Sequence, residues 1–242
     1  MVTGASGGIG RAIATAFARE GASLLLSYRQ NADGGRQAVE QVRTAGGTAS
    51  VVEADLSREA DVERLVAEAF AGDLPVHIWV NNAGADILTG DGARLTDTQK
   101  LDMAIAVDLR GTVLCSWRVA ERLRAQGGGV ILNVSWDHVL RGAPGRRAEI
   151  YAAAKGGVLA FSKSLAQSFA PEVRVNVLAP GWIATAFAEG LPEETRRRIA
   201  GKAPLKRWGT PEDVARAAVF LASADAEFLT GTTLLVNGGA VM

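Results

Sequence analysis

The chain has 242 residues, a length that favours one α/β domain covering residues 1–242. Lys and Arg number 26, as do Asp and Glu, so the net charge is zero and favours neither nucleic acid nor a membrane as partner. No run of about 18 apolar residues could span a bilayer, and the single cysteine, Cys115, excludes an internal disulfide. We therefore expect a cytoplasmic protein without a signal peptide, and we expect no metal site.

Only Met1 and Val2 precede the first glycine motif, which is shorter than the strand that should lead into it. We expect either that the start of the chain is misassigned or that the central strand is shortened. A shortened central strand would leave backbone groups of its neighbours unpaired in the interior.

Short apolar runs alternate with amphipathic helical stretches along the chain. In the first helical stretch, Gly8–Glu20, an apolar stripe is formed by Ile9, Ile13 and Phe17. The strand candidates are Ser23–Ser27, Ala49–Glu53, Val76–Val80, Val130–Val134, Arg174–Leu178 and Thr233–Val236. Most of them are apolar throughout, which is typical of strands covered on both faces. The alternation predicts an α/β fold with a doubly wound parallel sheet and right-handed crossovers.

A glycine-rich segment lies where the first strand would give way to the first helix. It reads Thr3-Gly4-Ala5-Ser6-Gly7-Gly8-Ile9-Gly10. Glycines permit a tight turn and a close approach of the backbone to a pyrophosphate, and the helix N-terminus presents free N–H groups to it. The segment therefore indicates a dinucleotide site, although glycine-rich turns also join strands to helices without any ligand.

Further motifs follow the glycine loop in a fixed order. They are Asp55-Leu56, Asn81-Asn82-Ala83-Gly84, Tyr151-Ala152-Ala153-Ala154-Lys155 and Pro180-Gly181-Trp182-Ile183-Ala184-Thr185. Together with the spacing T-G-x-x-x-G-x-G, they resemble the short-chain dehydrogenase/reductase family, and 3-oxoacyl-ACP reductases in particular, over essentially the whole chain. The resemblance implies a single-domain Rossmann fold of about seven strands, and hydride transfer between a nicotinamide cofactor and a carbonyl or secondary alcohol.

The resemblance also implies a set of cofactor contacts. In the glycine loop these are Gly4, Ser6, Gly7, Gly8, Ile9 and Gly10. Asp55, followed by Leu56, would hold the adenine edge. The adenosine ribose would be lined by Asn82, Ala83 and Gly84. After Pro180 and Gly181, the carboxamide and a phosphate would be held by Ile183 and Thr185.

The end of the strand Ser23–Ser27 decides between NAD and NADP, because a carboxylate there accepts from both ribose hydroxyls and repels a 2′-phosphate. This strand is followed by Tyr28 and Arg29. Without an acid, and with a guanidinium, the position favours a 2′-phosphate through charge-assisted hydrogen bonds. We therefore expect NADP(H) as the cofactor. The alternative is that Arg29 is a solvated residue at a strand end.

Tyr151 and Lys155 are four residues apart on a predicted helix, so both project from one face. A free tyrosine has a pKa of about 10. A neighbouring ammonium stabilises the phenolate and would lower that pKa toward the working range. The resemblance implies that Tyr151 gives its proton to the carbonyl oxygen, and that Lys155 also binds the nicotinamide ribose.

The third catalytic position departs from the family pattern. The strand continues Val134-Ser135-Trp136-Asp137-His138, so Trp136 takes the usual place of the serine that contacts the carbonyl. Three alternatives follow. In the first, the strand is shifted in register and Ser135 contacts the carbonyl. In the second, a protonated Asp137 orients the carbonyl. In the third, there is no third catalytic residue and Trp136 forms a wall of the pocket. We favour Ser135.

Two neighbours of this strand also bear on the site. His138 is either a proton relay or a solvated loop residue. The loop leading to Tyr151 is expected to be longer than usual around Arg146-Arg147-Ala148-Glu149.

Asp108 stands where the family usually has asparagine, whose backbone carbonyl holds a water that links the lysine to solvent. That backbone role would survive the change of side chain. A carboxylate here would keep Lys155 protonated more firmly. The alternative is that Asp108 pairs with Arg110 or Arg118 on a helix surface. Asp108 is therefore a further candidate catalytic residue.

The charged segment Phe187–Pro204 resembles the family's variable substrate lid. Relatives pair through two long helices, here about Gln99–Gln126 and Tyr151–Ala170, so we expect a homo-oligomer, either a dimer or a tetramer. The favoured function is reduction of a small or medium ketone. The alternatives are a nucleotide-binding sensor or scaffold with little turnover, and a dehydratase or epimerase on the same fold.

Overall fold

The computed structural model describes residues 1–72 and 74–242. Six strands run through these residues: β1 Ser23–Tyr28, β2 Thr48–Glu53, β3 Ile78–Asn81, β4 Gly129–Val134, β5 Val173–Pro180 and β6 Thr233–Val236. They pair in the orders β2–β1 and β3–β4–β5–β6, and every pair is parallel. The strands predicted from apolar runs agree with these bounds to within two residues at either end.

The segment Met1–Thr3 joins the two groups of strands. Val2 forms parallel bridges with Leu26 of β1 and with Val80 of β3. The Val2 N–H donates to the carbonyl of Leu25 at 3.0 Å, and the Val80 N–H donates to the carbonyl of Met1 at 2.9 Å. The expectation of about seven strands is therefore corrected, for the described residues, to six strands and a short bridging segment.

Helices cover both faces of the sheet, as predicted for a Rossmann-like fold. They are α1 Gly8–Arg19, α2 Ala32–Thr44, α3 Glu59–Phe70, α4 Gly90–Arg94, α5 Asp97–Ala104, α6 Thr112–Ala125, α7 Arg146–Phe169, α8 Ala186–Glu189, α9 Glu193–Lys202 and α10 Pro211–Ala222. One apolar core lies under α1, α2 and α10, with Ile13, Val42 and Leu221 fully buried. A second lies under α3, α6 and α7, with Leu65 and Leu165 buried.

Two predicted elements differ from the structure. The helix expected over Gln99–Gln126 is divided into α5, a π-helical turn at Ile105–Gly111, and α6. Such turns are rare and frequently occur at functional sites, and this one contains Asp108. The residues 146–149, expected in a loop, form the first turn of α7, which begins after Gly145 with a φ of 107°.

Three smaller observations concern the described residues only. No helix in the ranges 1–72 and 74–242 is long and apolar enough to cross a membrane. Within the same ranges, no three His, Cys, Asp or Glu side chains lie close enough together to hold a metal ion. Burial raises the pKa of the Cys115 thiol to about 12, so this cysteine is a buried, unreactive side chain.

Candidate functional site

The Tyr151–Lys155 pair lies on α7, beside the carboxyl end of β4. The Lys155 ammonium donates to the carbonyl of Val134, the last residue of β4, at 3.0 Å. The Lys155 Nζ lies 5.6 Å from the centre of the Tyr151 ring. Lys155 is buried, whereas Tyr151 is only half-buried. The structure therefore brings the two residues together, with the lysine in the interior and the phenol partly accessible.

Asp108 forms a buried ion pair with Lys155. Its Oδ1 lies 2.8 Å from the Lys155 Nζ. Its Oδ2 accepts a hydrogen bond from the Ala85 N–H at 2.8 Å, and this contact holds the carboxylate against the loop after β3. Gly84 lies in the same loop, and a Cβ added there would lie only 3.0 Å from the Asp108 Oδ1. The carboxylate and the glycine are therefore packed together beside the lysine.

The alternative pairing of Asp108 with Arg110 or Arg118 is wrong. The Arg110 guanidinium lies 2.6 Å from a carboxylate oxygen of Glu59, and the Arg118 guanidinium lies 2.8 Å from the other oxygen. Both arginines therefore pair with α3 on the protein surface. Asp108 points to the interior because the π-helical turn directs it toward α7.

The pKa values of the pair are set by burial and by Asp108. Burial raises the pKa of Tyr151, Lys155 lowers it by less, and Asp108 adds to the rise. Burial lowers the pKa of Lys155, but Asp108, with help from Tyr151, more than offsets this and the pKa is raised. The expectation that Lys155 lowers the pKa of Tyr151 below its ordinary value is therefore wrong for the protein chain by itself. At neutral pH the pair consists of a neutral phenol and an ammonium ion.

Ser135 is buried at the end of β4 and contacts the backbone of α7. Its hydroxyl donates to the carbonyl of Lys155 at 2.8 Å. A hydroxyl has one proton to donate, so in this geometry Ser135 does not donate to a substrate carbonyl. The contact instead joins the turn of α7 that contains Lys155 to the end of β4.

Asp137 is fully buried, and both of its carboxylate oxygens have partners. The Oδ1 lies 2.6 Å from the Nδ1 of His138, and the Oδ2 accepts from the Asn237 side-chain amide at 3.1 Å. Asp137 therefore holds the His138 ring in a fixed orientation and is not placed to orient a carbonyl. His138 is largely buried, which excludes the expectation of a solvated loop residue.

Trp136 contacts the tyrosine directly. Its ring meets the Tyr151 ring edge to face, with the ring centres 5.4 Å apart. The other neighbour of Trp136 is His138, stacked at 4.9 Å. Where the resemblance leads us to expect a serine, Trp136 thus places an indole beside the phenol.

The glycine loop packs against the segment after β3. Gly4 has a φ of 63°, and a Cβ added there would lie 2.7 Å from the Ala83 Cα. A Cβ on Gly10 would lie 2.5 Å from the carbonyl oxygen of Gly4. The Asn82 side-chain amide donates to this same oxygen at 3.1 Å, so it shapes the loop.

The N-terminus of α1 is open to a ligand. In the described part of the chain no side chain caps it at Gly7, and its first turn contains no acidic residue. The Thr185 methyl group approaches from the loop after β5, 3.4 Å from where a Cβ of Gly8 would be. Free N–H groups and the positive end of the helix dipole suit a phosphate. The residues at this position therefore fit the pyrophosphate of a dinucleotide.

The loop after β5 completes this side of the site. The Gly181 N–H donates to the carbonyl of Val236 at 3.1 Å, which fixes the end of β5 after Pro180. Ile183 is buried and bridges to Gly209. These contacts hold Thr185 near the glycine loop.

The predicted adenosine end of the site lies at the carboxyl ends of β1 and β2. Arg29 is partly exposed, and its guanidinium donates to the side chain of Gln30 at 3.2 Å. Among the described residues it forms no ion pair, so its charge is available to an anion. Asp55 accepts from the Ser57 N–H at 3.0 Å and from its hydroxyl at 2.7 Å, while Leu56 is buried.

Sequence reasoning missed Arg11 as a cation beside the glycine loop. Its guanidinium donates to the carbonyl of Ser6 and, at 3.4 Å, to the side chain of Gln37. Its Nε is buried without a partner among the described residues. Its position directly after Gly10 could have indicated a cation beside the glycine loop. An arginine in the first turns of a helix, however, is usually a surface residue.

Comparisons with known proteins agree over nearly the whole chain. A family model described as enoyl-(acyl carrier protein) reductase matches residues 4–241. The chain is 37% identical over 247 residues to 3beta-hydroxysteroid dehydrogenase 1 of Eggerthella lenta, covering 100% of this chain and 93% of that protein. It is 32% identical over 244 residues to the 3-oxoacyl-[acyl-carrier-protein] reductase FabG of Staphylococcus epidermidis, covering 100% and 98%.

A solved structure is also similar. It is the short-chain dehydrogenase/reductase, glucose/ribitol dehydrogenase, from Brucella melitensis, with a TM-score of 0.85 and 31% identity. The match covers 99% of this chain and 95% of that one.

Proposed function

Because the chain belongs to the short-chain dehydrogenase/reductase family, and is thus an oxidoreductase of an alcohol/carbonyl pair, we propose an NADP(H)-dependent reductase with Tyr151 as general acid. The observation that carries the proposal is the buried Asp108–Lys155 ion pair beside the partly accessible Tyr151 phenol. The names of two relatives refer to a hydroxysteroid and to a 3-oxoacyl group. Both names fit a secondary alcohol or its ketone as the reacting group.

In reduction, Tyr151 donates its proton to the carbonyl oxygen of the substrate. The raised pKa keeps the phenol protonated at neutral pH, so it begins the reaction as an acid. Lys155 stabilises the phenolate that forms, and Asp108 keeps the lysine protonated. The nicotinamide, when bound, supplies the hydride. Ser135 acts as a positioning residue, since its hydroxyl fixes the backbone of Lys155.

A preference for NADP(H) follows from the charges near the glycine loop. The family uses NAD(P)H, and its pyrophosphate fits the open N-terminus of α1. Arg29 would hold a 2′-phosphate, because no carboxylate neutralises it among the described residues, and Arg11 would add a second positive charge nearby. NAD(H) has no 2′-phosphate, so it would leave both guanidinium groups without this anionic partner.

Two further features belong to the same proposal. We take residues 1–242 as one domain whose segment 187–204, with α8 and α9, closes over the substrate as a lid. The chain would form a homo-oligomer through α6 and α7, where the half-exposed Trp117 ring meets Phe161 edge to face at 6.1 Å. Light scattering after size-exclusion chromatography measures the number of subunits.

A sensor or scaffold without turnover finds no support in the comparisons. The two curated relatives are named as a dehydrogenase and a reductase, and the Tyr151–Lys155 pair is intact. A dehydratase or an epimerase would not consume NADPH stoichiometrically with product. Measuring the oxidation of NADPH against the alcohol formed therefore distinguishes these reactions.

The test of the proposal is the kinetics of Tyr151→Phe. The change keeps the ring and removes the transferable proton, so kcat for ketone reduction should fall about 10²–10⁴-fold, while NADPH still binds. Lys155→Met should lower kcat at least as much and should also weaken NADPH binding. In the double variant the two losses in kcat should not add, because both residues serve one proton transfer. Lys163→Met, an exposed lysine on the same helix, is the matched control. Reduction by Tyr151→Phe at the unmodified rate would overturn the mechanism.

A further inference from the structure

Five rings form a continuous series of contacts, here called the aromatic wall, in which the largely buried His138 links four half-buried rings: Trp136, His138, Trp182, Phe187 and Trp208. The Trp136 and His138 rings stack at 4.9 Å, and His138 meets Trp182 edge to face at 6.2 Å. Trp182 in turn stacks on Phe187 at 6.2 Å and meets Trp208 edge to face at 5.6 Å. The wall therefore runs from the end of β4 to the start of the lid segment.

The wall begins at the reacting group. Trp136 is the ring that contacts Tyr151, with 5.4 Å between the ring centres. A substrate whose carbonyl lies at the phenol would therefore have Trp136 as a neighbour. Trp136, Trp182, Phe187 and Trp208 are all half-buried, so each keeps part of its ring surface accessible.

The wall is also held rigidly by the protein. The indole N–H of Trp208 donates to the carbonyl of Arg196 in α9 at 2.9 Å. His138 is held by the buried carboxylate of Asp137, which Asn237 holds from the other side. Because the Trp208 N–H already has a protein partner, this ring offers mainly its flat apolar face to a ligand.

We propose that the substrate is a bulky ketone with a flat, fused ring system, which stacks on the aromatic wall while its carbonyl meets Tyr151. Fixed aromatic rings favour planar partners at centre distances of about 4.5–7 Å. A rigid ring system loses little conformational freedom on binding, whereas a flexible acyl chain must be ordered. The proposal rests on the proposed function, because the position of the carbonyl is taken from the reductase mechanism.

The test compares two ketones of equal carbon number, the bicyclic 2-tetralone and the linear 2-decanone. With NADPH saturating, kcat/KM should be higher for 2-tetralone. Trp182→Leu and Phe187→Leu should each lower it roughly tenfold, mainly through KM, and should change 2-decanone much less. Trp182→Phe keeps a ring and should restore most of the loss. Phe228→Leu, at a fully exposed ring outside the wall, should change neither ketone.

A binding measurement keeps this test independent of turnover. Calorimetry of 2-tetralone with Tyr151→Phe in the presence of NADP⁺ should give a Kd that Trp182→Leu raises by a similar factor. If no ketone turns over but this difference in Kd appears, the wall binds rings and the proposed reaction is wrong. If Trp182→Leu affects both ketones equally, or if 2-decanone is preferred by the unmodified enzyme, the proposal of a ring substrate is overturned.

Discussion

The Oδ1 of Asp108 lies 2.8 Å from the Nζ of Lys155, and both side chains are almost completely buried. The pair is possible because the π-helical turn turns Asp108 inward and because Gly84 leaves room beside it. Removing one partner of such a buried pair typically costs about 3–5 kcal/mol, since the other charge is left without compensation. We therefore expect the charge state of Lys155 to depend on Asp108.

The rate of ketone reduction should fall at high pH. Asp108→Asn should move this fall to lower pH. Asp108 raises the pKa of both Lys155 and Tyr151, so its removal lets the ammonium and the phenol lose their protons earlier. Reduction needs both protons, so its rate falls as pH rises through these pKa values. Initial rates from pH 6 to 11 measure the shift, with Asp102→Asn, an exposed acid on α5, as control. An unchanged profile would mean that Asp108 has only a structural role.

Alcohol oxidation should rise about tenfold per pH unit between pH 7 and 9. Oxidation needs the Tyr151 phenolate as a base, and burial raises the pKa of this phenol above its ordinary value. Reduction needs the phenol and should stay constant over the same range. Initial rates in both directions at saturating cofactor provide the measurement. A plateau of oxidation below pH 8 would show that the pKa of Tyr151 lies below its ordinary value in the complex with cofactor, as the sequence analysis expected from the Lys155 ammonium.

Ser135→Ala should lower the free energy of unfolding by about 1 kcal/mol, the usual value of one hydrogen bond, and should change kcat less than tenfold. The reason is that the hydroxyl donates to the backbone of Lys155 and not to the substrate. Urea unfolding and steady-state kinetics give the two quantities. Ser164→Ala, at an exposed serine on α7, is the control for the loss of a hydroxyl. A loss of about 10²-fold in kcat with unchanged stability would return Ser135 to the role of carbonyl donor.

NADPH should bind at least about tenfold tighter than NADH, a difference of about 1.4 kcal/mol. Arg29→Ala should remove most of this preference by weakening NADPH, because the guanidinium is the cation at the end of β1 and has only Gln30 as a partner among the described residues. Isothermal titration calorimetry of NADPH and of NADH, with the unmodified protein and with Arg29→Ala, measures the four affinities. Arg36→Ala, an exposed arginine of α2 that pairs with Asp33, controls for the loss of one charge. Equal affinities in the unmodified protein would contradict the prediction.

The sheet and the site motifs could be predicted because each follows from a local pattern. The runs that became β4 and β5 are apolar throughout, and such strands fit only between two layers of helices. Tyr151 and Lys155 needed only the spacing of one helical turn to be placed on one face. These features do not depend on the details of packing.

The features that escaped prediction depend on single side chains meeting across the fold. The π-helical turn at Ile105–Gly111 divides the segment Gln99–Gln126, for which the sequence analysis expected one unbroken helix. Ser135 was expected to face the substrate, but the direction of its hydroxyl is decided by the position of α7. Burial, which depends on the whole assembly of elements, also outweighs Lys155 in setting the pKa of Tyr151.

Val2 is the position at which the two groups of strands meet, through its bridges to β1 and β3. On one side of it, β1 ends at Tyr28 and leads to Arg29, which we assign to the adenosine end of the cofactor. On the other side, β4 ends beside Lys155, and we assign the chemistry to Lys155 and Tyr151. The described segment is bridged at one position to each side, through Val2, whereas β1 and β2 pair at six positions. A dinucleotide lying across both halves would add contacts between them, so we expect cofactor binding to stabilise the sheet against unfolding.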